Sequence, residues 1–161
     1  MELVSMILLC SDFKVSFDLA TRIVKECRLN PALTFTHCSR ELAKLGRFDD
    51  IIQLTKALTS AGLVDEAGID EIVGASLLVI ADTQALDQSD TLIQLLTCDN
   101  NKINAFILCG KLRSAYLLAV KRDRVEDVQR IAGAAQRLGQ TAVRNICKKW
   151  LEQHKNLDKQ P

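Results

Sequence analysis

The side chains that could carry out chemistry in this chain are few and scattered. There are two histidines, His37 between Thr36 and Cys38, and His154 near the C-terminus. A cysteine–histidine nucleophile would need Cys38 or Cys147 beside one of them, and no spacing in the sequence supports that pairing. We therefore interpret His37, which falls on a predicted helix, as a structural or surface residue.

Three acidic pairs could be considered as paired carboxylates for acid–base catalysis. They are Asp49-Asp50, Asp65-Glu66 and Asp70-Glu71. Each pair stands where a helix is predicted to begin, and carboxylates there cap free N–H groups and oppose the helix dipole. The seven glycines are isolated, so the sequence contains no glycine-rich phosphate loop. The sequence predicts a protein that is not an enzyme and that carries no cofactor.

The cysteines do not have the spacing of a zinc site or of a redox motif. They are Cys10, Cys27, Cys38, Cys98, Cys109 and Cys147. None belongs to a CxxC pair, and most have apolar neighbours, where a reduced thiol behaves as a small hydrophobic side chain. We predict six free thiols and no bound metal.

Charge is distributed unevenly, although the net charge is only +1. Residues 1–101 contain 8 basic and 15 acidic side chains, whereas residues 102–161 contain 13 basic and 5 acidic ones. Such asymmetry favours an interaction surface, with ordinary solvated helix faces as the alternative. Nucleic-acid binding is a weaker alternative, because almost no aromatic side chains are interleaved with the cations.

We predict that residues 102–154 present a basic helical face to an acidic surface of a partner protein. The candidate contacts are Arg113, Arg124, Arg144, Lys148 and Trp150. Trp150 lies on the apolar stripe of the last predicted helix. It could seal the end of the core or anchor a partner, and the stripe favours the core.

Short amphipathic helices are the elements that must position these residues. Leu112, Ala115 and Ala119 recur at helical spacing, and Gly110 can end the helix before them. The apolar pattern restarts at Val125 after a short charged turn. Two helices joined so closely must lie side by side and antiparallel.

The same pattern recurs along the chain. Predicted helix starts include Ser16, Asn30, Asp65 or Asp70, and the turn before Lys102. The run from 72 to 81 is apolar nearly all round, which predicts a central helix, and it is about half the length of a membrane span.

A weak internal repeat relates two charged turns. Residues 47–51, RFDDI, match residues 124–128, RVEDV, at an offset of 77. That interval fits two helix pairs, with convergent turn chemistry as the alternative.

These patterns predict an all-α fold. We expect an antiparallel helix-pair array, resembling an α-solenoid, with about eight or nine helices. Residues 1–154 are predicted to form one domain at the end of a longer solenoid, followed by a polar tail at 155–161.

Two segments carry a resemblance to a known family. They are INAFILCGKLRSAYLLAVKRDRVEDVQRIAGAAQRLGQTAVRNICKKWLEQHK, from Ile103 to Lys155, and LAKLGRFDDIIQLTKAL, from Leu42 to Leu58. They resemble the C-terminal end of the spastizin family, the large FYVE zinc-finger proteins. The similarity extends over about residues 35–154, and Gly110 to Val120 is its most specific part.

The resemblance implies a helical segment of a cytosolic scaffold that associates with spatacsin and the fifth adaptor-protein complex. It also implies a place on late endosomes and lysosomes, with roles in lysosome reformation after autophagy and in cytokinesis. The zinc-binding cysteines and basic signature of the family's FYVE finger are absent from this sequence, so its lipid binding is not carried over. The alternative is a helical-repeat subunit of another vesicle coat or tethering complex.

Overall fold

A computed structural model of the chain describes the backbone of residues 2–9 and 13–157 and the side chains up to residue 154. The described backbone contains ten α-helices and one short 3-10 helix at Leu86–Gln88. The helices are α1 Glu2–Leu8, α2 Phe13–Glu26, α3 Pro31–Lys44, α4 Phe48–Ser60, α5 Glu66–Thr83, α6 Ser89–Leu95, α7 Asp99–Leu108, α8 Leu112–Lys121, α9 Val125–Arg137 and α10 Thr141–Leu157.

The all-α fold is confirmed. The described residues form ten α-helices, compared with the predicted eight or nine, and α1 and α6 have only seven residues each. The contacts divide the chain into two compact units, residues 1–101 and 102–161. The single domain over 1–154 stays a prediction. Of the predicted polar tail, residues 155–157 continue α10 and residues 158–161 lie outside the described residues.

Seven of the ten described helices end in one recurrent backbone motif. In that motif a residue with a positive φ follows the helix, and the last carbonyls of the helix accept from its N–H and from the next N–H. At Gly110, φ is 69° and the N–H donates to the Ile107 carbonyl at 3.1 Å. The N–H of Lys111 donates to the Phe106 carbonyl at 2.8 Å. The residues with positive φ at such ends are Arg28, Gly46, Gly62, Gln84, Gly110, Asp123 and Gly139.

Some predicted helix starts are confirmed and others are wrong. The Asn30 side chain accepts from the Leu33 N–H at 3.1 Å, and the Asp65 side chain caps α5. Ser16 does not cap α2, because that helix already begins at Phe13 and buries Ser16. The predicted turn before Lys102 is also wrong, since α7 begins at Asp99.

The core of the first unit is built around α5. This helix packs on α3, α4 and α6, and its most extensive contact is with α3. Fully buried serines lie where α3 and α5 meet: Ser39 Oγ donates to the Ile72 carbonyl at 2.9 Å, and Ser76 Oγ donates to the Ser39 carbonyl at 3.5 Å. Such small side chains permit close helix approach. The predicted central position of the apolar helix is confirmed.

The second unit contains α8, α9 and α10, which contact one another. Three-residue turns join α8 to α9 and α9 to α10, so consecutive helices are antiparallel. Gln140, in the second turn, donates from Nε2 to the Gly110 carbonyl at 2.9 Å and thereby ties the start of α10 to the start of α8. The buried residues of these three helices include Leu112, Ala115, Ala119, Val128, Ile131, Ala135 and Cys147.

The internal repeat corresponds to two similar helix starts. Arg47 Nε lies 2.5 Å from Asp50 Oδ2 at the start of α4, and Arg124 Nε lies 2.7 Å from Asp127 Oδ2 at the start of α9. Both helices have 13 residues. However, α5, α6, α7 and α8 lie between them, so the interval is five helices. The interpretation of this interval as two helix pairs is therefore wrong.

We expect opposite effects from alanine at two glycines of the second unit. Gly110→Ala forces an alanine into the left-handed region and should lower the free energy of unfolding by about 1–2 kcal/mol. Gly133→Ala, inside α9 with ordinary space for a methyl group, should raise that free energy by about 0.5–1 kcal/mol. Urea unfolding followed by the fluorescence of Trp150 measures both changes. Equal effects at the two positions would contradict the assignment of Gly110 as the helix-ending residue.

Candidate interaction surface

The cavity beside His37 brings together residues that the sequence did not connect. Ser5 Oγ on α1 lies 3.0 Å from His37 Nδ1 and 3.3 Å from Cys38 Sγ on α3. The Ser5 hydroxyl donates to the Cys38 sulfur, so its proton is directed away from the His37 ring. This arrangement links α1 to α3 and does not activate Ser5 as a nucleophile. The cavity has a volume of about 320 Å³.

The cysteines do not gather into a reactive or metal-binding site in the described part of the chain. Cys27 and Cys98 are exposed, while Cys38, Cys109 and Cys147 are buried, and none of these five forms a disulfide. Burial raises the pKa of the Cys38 thiol, and it raises the pKa of Cys147 to about 11. Both therefore stay protonated at neutral pH, whereas a nucleophile or a metal ligand must be the thiolate.

No group of three histidine, cysteine or acidic side chains could hold a metal ion among the described residues. Cys10 lies outside those residues. The six free thiols and the absence of metal remain predictions for the chain as a whole.

Asp70 has a structural role different from the predicted cap of α5. It lies inside that helix, is almost fully buried, and binds the link between α6 and α7. Asp70 Oδ1 accepts from the Thr97 N–H at 2.6 Å and from Thr97 Oγ1 at 3.0 Å. Asp70 Oδ2 accepts from the Cys98 N–H at 3.1 Å and from Asn101 Nδ2 at 2.7 Å. These donors are 27 to 31 residues away, so no local pattern could reveal the contact.

The hydrogen bonds of Asp70 keep it ionised. Burial raises the pKa of this carboxyl, but the bonds from Thr97, Asn101 and Cys98 together outweigh burial and hold the pKa below its ordinary value. The carboxylate is thus a fixed anchor for the start of α7. This geometry supports a structural role for Asp70 rather than the role of a catalytic acid or base.

Asp127 is the corresponding buried carboxylate of the second unit, and it engages one of the predicted contact residues. The Arg124 guanidinium lies 2.7 Å from its Oδ2, and Arg130 Nη1 lies 2.9 Å from its Oδ1. Arg130 Nη2 also donates to Asn104 Oδ1 at 2.7 Å. Arg124 therefore neutralises a buried charge at the start of α9. Its suggested contact with a partner stays a prediction.

The other predicted cations are placed at the surface of the second unit. Arg113 on α8 and Lys148 on α10 are exposed. Arg144 lies one turn before Lys148 and is half-buried, and its Nε atom has no hydrogen-bond partner among the described residues. That atom is shielded from solvent, and a buried guanidinium N–H without an acceptor is costly.

Trp150 is half-buried and lies beside the turn between α8 and α9. Its ring stacks on His154, with the two ring centroids 3.7 Å apart. His154 Nε2 in turn lies 2.5 Å from Asp123 Oδ1 in that turn. This chain of contacts fastens α10 to the other helices of the second unit. Part of the indole remains available at the surface.

Exposed apolar residues are a feature of this surface that sequence reasoning missed. Leu117 on α8 is 61% exposed, and it lies one turn after Arg113. Ile146 on α10 is 39% exposed. Both positions lie next to basic residues along their helices, and that combination of apolar and charged side chains is common at protein interfaces.

Comparison with known proteins identifies the family. Residues 30–152 match the family model described as "ZFYVE26-like, TPR repeats". The chain belongs to this ZFYVE26-like TPR-repeat family. It is 32% identical over 138 residues to the zinc finger FYVE domain-containing protein 26 of Homo sapiens, Rattus norvegicus and Mus musculus. The resemblance to spastizin is thereby confirmed, because that is another name for the same protein.

The match covers most of this ZFYVE26-like chain and a small part of its relatives. The aligned region is 84% of the chain and 5% of each relative. No solved structure matches the chain significantly. None of the helices described here combines the length and the apolar character that crossing a bilayer requires.

We expect Asp70→Asn to destabilise the first unit. The charged hydrogen bonds lost at pH 7 correspond to about 1.5–3 kcal/mol of unfolding free energy. Because folding lowers the pKa, the carboxylate contributes stability that is fully present above its ordinary pKa of 3.8 and that is lost as the pH falls further. The difference between wild type and Asp70→Asn should therefore shrink on acidification.

Urea unfolding followed by circular dichroism at pH 7 and near pH 3 measures this difference. Glu71→Gln is the matched control, because Glu71 is the adjacent residue and is exposed. A loss of stability in Asp70→Asn that is the same at both pH values would contradict the assigned role of the ionised carboxylate.

Proposed function

We propose that this chain is a non-enzymatic protein-interaction segment that docks through a basic helical face of its second unit. The observation that carries the proposal is the set of unpaired cations on α8 and α10. Arg113, Arg144 and Lys148 form no ion pair with any described residue, whereas the buried Asp127 is already neutralised by two arginines. Membership of a TPR-repeat family supports a scaffold, because helical repeats commonly provide protein-binding surfaces.

Charged and apolar groups would contribute differently to this docking. Cations at the rim of an interface mainly raise the association rate and select an acidic partner, and salt screens them. The partly exposed Trp150 and Ile146 offer the apolar contact that holds a complex together.

The resemblance to spastizin suggests the biological setting. On this proposal the partners are spatacsin and subunits of the fifth adaptor-protein complex, and the chain acts as part of a larger protein at the cytoplasmic face of late endosomes and lysosomes. Its roles would be lysosome reformation after autophagy and cytokinesis. Neither lipid binding nor nucleic-acid binding is expected of this segment.

Reversal of two charges on α10 tests the proposed face. In a pull-down with spatacsin and adaptor subunits, Arg144→Glu/Lys148→Glu should reduce capture on the order of tenfold at moderate salt. Arg124 is unsuitable for such a test, since a glutamate there would face the buried Asp127 and unfold the helix start. Circular dichroism establishes that the variant is folded.

The matched control is Lys25→Glu/Arg40→Glu, which makes the same change of net charge at exposed positions of the first unit. This control should capture partners as well as wild type does. Equal capture by the α10 variant and by wild type, at low and at moderate salt, would show that binding does not involve this face.

A further inference from the structure

One line of side chains on α5 does not take part in the core of the first unit. Glu71, Leu78 and Asp82 are separated by seven and four residues, so they lie on the same side of the helix. All three are exposed, and Leu78 is 50% exposed although α5 is otherwise the central helix. Gly74 lies between them, and a methyl group added there would meet nothing within 4 Å. We name Glu71, Leu78 and Asp82 the acidic stripe.

The charges of the acidic stripe are unpartnered within the described residues. Neither Glu71 nor Asp82 forms an ion pair there. Asp82 also lies in the last turn of α5, where the helix dipole disfavours a carboxylate, and that turn contains no basic residue. A cation supplied from outside would therefore be favourable at both ends of the stripe, with Leu78 and the open surface at Gly74 between them.

A second line of side chains, on α8, has the opposite charge and a similar pattern. Arg113, Leu117 and Lys121 follow one another at intervals of four residues on the exposed side of that helix. Leu117 is 61% exposed, and neither cation forms an ion pair within the described part of the chain. We name these three residues the basic stripe.

The two stripes carry opposite charges, have the same order of charged and apolar residues, and are similar in length. Each places an exposed leucine between two like charges. From the helical rise, the basic stripe is about 12 Å long and the acidic stripe about 16 Å long. The long side chains of Arg113 and Lys121 can span that difference. We propose that the acidic stripe of one copy of this chain binds the basic stripe of a second copy.

This inference goes beyond the proposed function and does not depend on it, because it shares only Arg113 with that function and requires neither Arg144, Lys148 nor Trp150. Reciprocal binding would close a two-fold pair, whereas binding in one direction would join copies in a row. In either arrangement Arg144 and Lys148 of α10 lie outside the two stripes. Self-association is expected to be weak and to depend on salt, since exposed charges provide much of its selectivity.

Charge reversal with rescue tests the proposal on the 161-residue chain. Sedimentation velocity over a concentration series should show a rise in average mass for wild type at low salt. That rise should disappear near 1 M sodium chloride, where the screening length falls to about 3 Å. Arg113→Glu/Lys121→Glu and Glu71→Lys/Asp82→Lys should each remain monomeric alone.

A mixture of the two variants should associate again, because each then offers the stripe that the other one needs. Arg144→Glu/Lys148→Glu is the matched control: it has the same net charge as the basic-stripe variant and should associate as wild type does. A monomeric wild type, or a mixture that stays monomeric while both variants are folded, overturns the proposal. Normal self-association together with failure of the α10 pull-down would instead reject only the proposed function.

Discussion

The reversal of the chain within two or three residues is the constraint on which the rest of this structure depends. At seven helix ends a left-handed residue just after the helix makes this reversal, because that geometry gives the last helix carbonyls hydrogen-bond donors while turning the backbone. After α3, α8 and α9, such a reversal places the next helix against the previous one. The apolar stripes then only have to face inward, which short amphipathic helices achieve with leucine, alanine and valine.

Two buried carboxylates fix the register between secondary-structure elements, which the apolar stripes alone do not fix. Asp70 in the first unit holds the backbone that precedes α7, and Asp127 in the second unit holds two arginines and through one of them Asn104. Leucines could slide past one another at modest cost, whereas a buried carboxylate that lost its donors would be left unpaired. Asp70 and Asp127 are therefore better understood as structural anchors than as catalytic groups.

Sequence reasoning succeeded where the physical cause is local. The caps at Asn30 and Asp65 and the helix-ending glycines follow from residues within one turn, and the central position of α5 follows from its apolar run. It failed where the partner is distant, as at Asp70, whose donors are 27 to 31 residues away, and at the Ser5–His37 contact. It also missed the left-handed Arg28, Gln84 and Asp123, because only glycine adopts that conformation without a steric cost and so signals it in the sequence.

For the predicted basic interaction surface, too, the sequence reveals the composition but not the geometry of the side chains. The excess of basic residues after residue 102 was visible in the sequence, but composition could not separate Arg124, which serves Asp127, from Arg113 and Lys148, which face solvent. Exposed leucines such as Leu117 are equally invisible to composition, because their exposure depends on how many neighbours each helix has.

The three-residue turns of the second unit also bear on how fast it acquires its structure. Closing so short a loop costs little chain entropy, and each helix there finds its partner among its immediate neighbours in the sequence. In the first unit, α1 reaches past α2 to α3, and α3 reaches past α4 to α5. The second unit thus has the more local contact topology, and we expect it to collapse sooner during folding and to spend less time with its apolar stripes open to aggregation.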